Sequence, residues 1–240
     1  MGNALLSYLN KRLEESQAFH KGSKGAAGPV ITISREVGCN GLVLARMLAT
    51  RLNQQRMISE WKVYSKEVFY KSAQELNLDP NKVQKMFKTT DRYTFEEILK
   101  AFGEKRYKSE AKIAKTVRDV VRSLAIDGFA IIVGRASHII ARDIKNALHL
   151  RLTAPLEYRI ATIMENNQLK REDAITFINR VEQERRAFRK ALREENLHED
   201  YFDMTINRAS FSTEQAVELI LLALEKKKVL NDYTYKVEFF

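Results

Sequence analysis

The stretch VITISREVGCNGLVLARMLATRL, Val30 to Leu52, decides the fold. With Pro29 its first residues form a short β-rich run, PVITIS, that lacks polar alternation. That predicts a strand buried on both faces. A small turn containing glycine, REVGCNG, follows, and then a helical pattern over 41–54. This order aims backbone amides and a helix N-terminus at one place, which favours an anion. A standard phosphate loop reads G-x-x-x-x-G-K-[ST]. Aligned on it, the defining positions hold Arg35, Asn40, Gly41 and Leu42, so each motif residue is replaced. Small residues at the bend survive, and Asn40 can adopt left-handed backbone. Taken alone, the loop fits an ordinary strand-to-helix turn equally well.

Outward from this stretch, strands and helices alternate. RMISEWKVYS holds a weak second strand, and the chain from Lys66 to about Asp127 is mostly helical. The last helix there carries Ile113, Val117, Val120, Val121 and Leu124 on one face and ends at Asp127-Gly128. FAIIVG and ALHLRLTA are further strands, with a helix at 135–142 between them, and Pro155 opens another helix. A charged helix or helix pair covers roughly 170–195, YFDMTINR is a last strand, and Thr213 to Lys226 a last amphipathic helix, capped by Ser212 or Thr213. The alternation predicts an α/β fold with a parallel sheet and helices on both faces. Ligands of such sheets sit at the carboxyl ends of the strands, here after Ile33, Val133, Thr153 and Ile206.

At the N-terminus, Leu5, Leu6, Leu9 and Leu13 mark an amphipathic helix, and KGSKGAAGP a flexible linker. The division expected is 1–28 for helix and linker, 29–228 for the main domain and 229–240 for a tail. The first helix and the tail are candidates for a homo-oligomer contact. The 240 residues suffice for a sizeable core, and no apolar run approaches a membrane span. A single cysteine, Cys39, and the lack of a signal-peptide pattern predict a cytoplasmic protein. With 41 Lys plus Arg against 31 Asp plus Glu, the charge of +10 favours an anionic partner without choosing one.

Three further segments carry candidate chemistry. In IIVGRASHIIARD, Gly134 lets the chain turn and Arg135 follows at a strand's carboxyl end, where it can grip a phosphate bidentately. His138 reads as packing or surface rather than catalytic, and Arg142 with Asp143 as a helix-end ion pair. In RVEQERRAFRKALREE, Glu182 stands four before Arg186, a favourable pairing. Arg185 shares its stripe with Val181, Phe188 and Leu192, where an apolar residue is expected. An arginine there suits a lid over phosphates, with Arg189 one turn on. FDMTINRASFS brings Asp203 and Asn207 to a strand end. No metal-ligand cluster is evident, and Cys39 reads as a small residue filling a tight loop.

Together these segments resemble the cytidylate kinase-like family, a branch of the P-loop nucleoside monophosphate kinases. The family's S-R-E-x-G-S-G-G is similar to SREVGCNG, its V-G-R-[GA] to VGRA at Val133 to Ala136, and its A-P-L-E-x-R-I to APLEYRI at Ala154 to Ile160. Its D-x-x-R-x-x-[YF] matches Glu182, Arg185 and Phe188, and its Y-D-L-x-I-N matches FDMTIN, Phe202 to Asn207. The resemblance implies a three-layer P-loop fold with a five-stranded parallel sheet, a helical lid at about 165–200 and a helical acceptor-binding insertion. It implies transfer of the γ-phosphoryl of ATP, with Mg2+, to CMP, dCMP or a related pyrimidine monophosphate. Ser34, Arg35, Gly38, Cys39, Asn40 and Gly41 would hold ATP phosphates. Arg135 would hold the acceptor phosphate, Arg185 and Arg189 would close over the transferring group, and Asp203 would sit near lid or acceptor. Departures are Asn40 for Gly, Leu42 where a charge often stands, Ser65 for the Asp of Y-D-K-E, and Glu182 for Asp. A kinase-fold protein that binds nucleotide without turnover is the alternative. A nucleic-acid binder ranks last, because stacking platforms and reading motifs are not evident.

Overall fold

Val30, Ile31, Thr32 and Ile33 are β-branched, and all four are buried, so the strand they form belongs at the centre of a sheet. In the computed structural model, which describes residues 27–55, 58–65, 110–192, 201–231 and 233, that is where it lies. Strand β1 (Val30–Arg35) is followed by α1 (Gly41–Asn53), β2 (Lys62–Tyr64), α2 (Glu110–Asp127) and β3 (Ala130–Val133). Then come α3 (Ser137–Ile140), β4 (Ala147–Thr153), α4 (Leu156–Asn167), α5 (Arg171–Leu192), β5 (Met204–Asn207) and α6 (Thr213–Lys226). The five strands pair in the order β2-β3-β1-β4-β5, and every pairing is parallel. The α/β sheet expected from sequence is present.

Two cores organise the packing. The larger joins Ile31, Ile33 and Leu150 of the sheet to Leu44, Leu48 and Leu52 of α1 and to Ile220 and Leu224 of α6. The smaller one belongs to the α4–α5 pair: Ile160, Ile163, Ala174 and Ile178 surround Val37 of the loop after β1. That loop is therefore packed into the helix pair rather than merely lying near it. Gln168, in left-handed backbone, makes the turn between the two helices. Helix α5 is one continuous helix, and Ser212 closes α6 with a full capping box to Gln215.

Several expectations need correction. The helix expected over 135–142 shrinks to Ser137–Ile140, because Gly134, Arg135 and Ala136 are all left-handed (φ 76°, 61° and 52°). Pro155 sits just outside α4 at its N-cap, with φ −52° and ψ 147°. Asp143 takes Arg122, not Arg142, as its main partner: both its carboxylate oxygens accept from the Arg122 guanidinium, and Arg142 adds only a weaker attraction. Past residue 228, Val229 is buried in the main core, and the Tyr233 hydroxyl donates to the Ala27 carbonyl (3.0 Å). The expected N-terminal helix, the residues after 233 and residues 66–109 of the stretch expected to be mostly helical lie outside the described residues. Among the described residues no helix is long and apolar enough to cross a membrane.

Candidate functional site

The loop after β1 is built from residues that tolerate its backbone. Gly38 has φ +92°, and a Cβ on it would fall 2.7 Å from the Arg159 carbonyl oxygen and 2.8 Å from the Arg159 Cα. It is thus a packing glycine as much as a loop glycine, and it lets α4 press against the turn. Asn40 is left-handed, φ 49° and ψ 38°. Its side chain makes no cap bond to α1; its Oδ1 accepts from Asn166 Nδ2 at 2.9 Å. The first turn of α1 carries no acidic residue either. Its amides are therefore not occupied by the residue that usually covers a helix start, which suits an anion.

Around this loop the fold gathers arginines. Arg35 is drawn well below its ordinary pKa, first by burial and then by the guanidiniums of Arg185, Arg135 and Arg189, with Glu182 opposing. Arg185 is likewise lowered by burial, with Arg189 adding to it and Glu182 opposing. Arg135 is presented by the left-handed run after β3, and its Nε donates to the Ser65 carbonyl at 3.3 Å. Two consecutive residues other than glycine in that conformation are strained, a feature that concentrates at functional sites. Arg185 Nη1 donates to the Arg35 carbonyl at 3.0 Å, so α5 docks directly on the end of β1.

Carboxylates brace the arrangement. Glu182 does not take the Arg186 partner expected of it; its Oε1 accepts from the Val37 amide at 2.6 Å and lies 3.7 Å from Arg159 Nη1. Glu36 accepts from the Ala154 amide at 3.1 Å and lies 3.6 Å from Arg159 Nε. Arg159 thus stands between the loop acid Glu36 and the α5 acid Glu182. Arg159, within APLEYRI, and Glu36, within SREVGCNG, carry no role that the sequence alone assigns. Their only signal was membership of the matching segments, since the partners lie far apart in the chain. Arg208 was also missed: it is buried after β5 and donates to the Phe211 and Ser212 carbonyls and to Thr213 Oγ1.

The expected residues do not all converge. Arg35 and Arg185 meet through the hydrogen bond to the Arg35 carbonyl, the Arg35 guanidinium abuts the turn that carries Arg135, and Arg189 adds its charge to both Arg35 and Arg185. Ser34 is buried at the end of β1. Cys39 turns its side chain into the main core, and burial, aided by Glu36 and Glu182, pushes its thiol up to about 11. Asp203 is not brought to the loop. It precedes β5 and pairs with His149, which lies opposite Thr32, three residues short of Arg35. That is about 10 Å back along the strands. Its carboxylate accepts from the His149 amide (2.7 Å) and Tyr201 hydroxyl (3.2 Å) and pairs with Lys227 (2.5 Å). Asn207 is exposed and accepts from the Ala209 amide at 3.0 Å. Among the described residues no group of three or more His, Cys, Asp or Glu could hold a metal ion.

Comparison with known proteins bears on the same residues. The cytidylate kinase-like family model matches residues 30–210. Among solved structures, an uncharacterized protein from Eubacterium ventriosum ATCC 27560 is similar, with a TM-score of 0.57 and 18% identity over 82% of this chain and 98% of that one. Shikimate kinase from Acinetobacter baumannii, in complex with shikimate, gives 0.46 and 13% identity over 89% and 98%. Dephospho-CoA kinase from Campylobacter jejuni gives 0.36 and 13% over 83% and 98%. No curated protein matches in sequence.

Proposed function

The chain belongs to the cytidylate kinase-like family, and from that premise we propose that it is an ATP-dependent nucleoside monophosphate kinase acting on CMP, dCMP or a related pyrimidine monophosphate. The observation that carries this reading is geometric: the Arg35 side chain runs from the start of α1 to the turn that bears Arg135, and Arg185 of α5 donates to the Arg35 carbonyl, all at the carboxyl edge of a parallel sheet. Phosphoryl transfer asks a protein mainly for positioning and for stabilisation of charge on the transferring group. Guanidiniums and loop amides supply both.

In this reading the loop from Ser34 to Gly41 cradles the ATP phosphates, and Arg135 holds the acceptor phosphate. Arg185 and Arg189 come from the lid helix to the γ-phosphoryl. An oxygen of the acceptor phosphate dianion bonds to the γ-phosphorus while the bond to the β-bridging oxygen breaks. The electron pair leaves on ADP, and no base is required. Magnesium would enter on the nucleotide, whose phosphates and water commonly supply its ligands. Leu42 offers it no hydroxyl and packs instead against the main core. That observation favours a second reading, a nucleotide binder without turnover.

A coupled assay for ADP over the common monophosphates separates the two. Monophosphate-dependent ADP formation is expected, and Arg135→Ala should lower kcat/KM about a hundredfold, mainly through KM for the acceptor. ATP binding with no turnover on any monophosphate would leave the second reading standing.

A further inference from the structure

The loop has no lysine, yet the room a lysine would use is filled. Gly41 stands at the position of the motif lysine. A Cβ on Gly41 would lie 3.2 Å from Arg35 Cγ and 3.5 Å from its Cβ and Cδ. The Arg35 side chain therefore crosses the start of α1 where a side chain at 41 would begin. Its far end reaches the VGRA turn: a Cβ on Gly134 would collide with Arg35 Nη1 and lie 2.9 Å from its Cζ. One side chain thus extends from the ATP side of the site to the acceptor side. It is anchored at its base, since Arg35 ends β1 opposite Leu152 and its carbonyl accepts from Arg185. It also remains partly exposed, so a ligand can reach it.

We propose that Arg35 is the cation that replaces the missing loop lysine, its guanidinium bridging the donor γ-phosphoryl and the acceptor phosphate. This rests on the kinase reading above. A planar guanidinium can grip two phosphoryl oxygens at once, which an ammonium on a flexible stem does not do in fixed geometry. During transfer it stays on the γ-phosphoryl oxygens while the bond to ADP breaks and the bond to the acceptor forms. The crowding of Arg35 by Arg185 and Arg135 is relieved when the phosphates arrive. Gly41 and Gly134 then share one cause: each leaves space for the same side chain.

The test compares wild type with Arg35→Ala, Arg35→Lys, Gly41→Lys and the double variant Arg35→Ala/Gly41→Lys. It reads ADP formation with CMP, ATP affinity by calorimetric titration, and the melting temperature. Arg35→Ala should lose about a hundredfold in kcat/KM and about tenfold in ATP affinity. The double variant should regain most of the ATP affinity, because the vacated room accepts a lysine. Gly41→Lys alone should lose activity by collision with Arg35. Arg35→Lys should keep ATP affinity within about threefold and lose turnover. The proposal is overturned if Arg35→Ala stays within about threefold of wild type in both readouts. It is equally overturned if the double variant melts like wild type yet binds ATP no better than Arg35→Ala. Wild type that binds ATP without turnover would remove the kinase reading, and the ATP affinities would then decide Arg35 alone. Wild type that does not bind ATP would remove both.

Discussion

Two charged regions of this molecule are built on opposite principles. Around Asp203, opposite charges meet: its carboxylate has Lys227, the Tyr201 hydroxyl and the His149 amide. Burial pushes Asp203 up, yet Lys227 and that amide hold it below its ordinary value. At the carboxyl edge of the sheet like charges meet: Arg185 and Arg135 each pull the half-buried Arg35 down, with Glu182 opposing. The first region is complete as it stands and contributes to stability. The second keeps a repulsion that a polyanion would remove, and that difference sets the structural charge network apart from the proposed binding site.

The largest effect expected from breaking this contrast is on catalysis. Arg185→Ala should lower kcat/KM about a thousandfold, near 4 kcal/mol of transition-state stabilisation. The melting temperature should change little, because the lost hydrogen bond to the Arg35 carbonyl is offset by removal of a crowded, half-buried cation. A matching drop in melting temperature would move Arg185 into the structural group. Next comes acid stability. Burial, with Lys227 and His138 adding to it and Asp203 opposing, lowers His149 from 6.5 to about 4. Below pH 6.5 the unfolded chain takes up a proton that the native one refuses. Stability is therefore fully present above that pH and falls as pH drops toward 4, by up to about 3 kcal/mol. Urea unfolding of His149→Gln should lose that part of the slope; an unchanged slope would show that His149 titrates normally. The smallest effect is that of Asp203→Ala, which should cost about 2 kcal/mol of stability. The kcat/KM of its folded fraction should stay within about threefold of wild type. A hundredfold loss there would return Asp203 to the chemistry.

The parts of the fold that were legible in sequence depend on local pattern. Val30 to Leu52 announced a buried strand, a tight loop and a helix, and the cap of α6 was readable as Ser212 or Thr213, of which Ser212 makes it. What escaped depends on distance or on backbone alone. Nothing local shows that Glu182 reaches the Val37 amide, 145 residues away, rather than Arg186 one turn on. Nor does residue type reveal that Arg135 and Ala136 are left-handed, a conformation usually left to glycine. Asp203 was misplaced because β5 starts only at Met204, which leaves the acid at the amino side of a short strand. Family resemblance supplied the order of the segments but not which side of the sheet each residue faces.

The contact between Tyr233 and Ala27 has a consequence for how the domain could be rewired. The Tyr233 hydroxyl donates to the Ala27 carbonyl and accepts from Asn146 Nδ2, while its ring meets Phe129 edge-on at 5.6 Å. Ala27 leads into the start of β1, so the first and last of the described residues meet at one spot, at the opposite end of the strands from the arginines. Adjacent ends are what circular permutation requires. A short connection between them, with new ends opened in a surface turn such as that at Gln168, would leave the sheet order and the phosphate edge untouched.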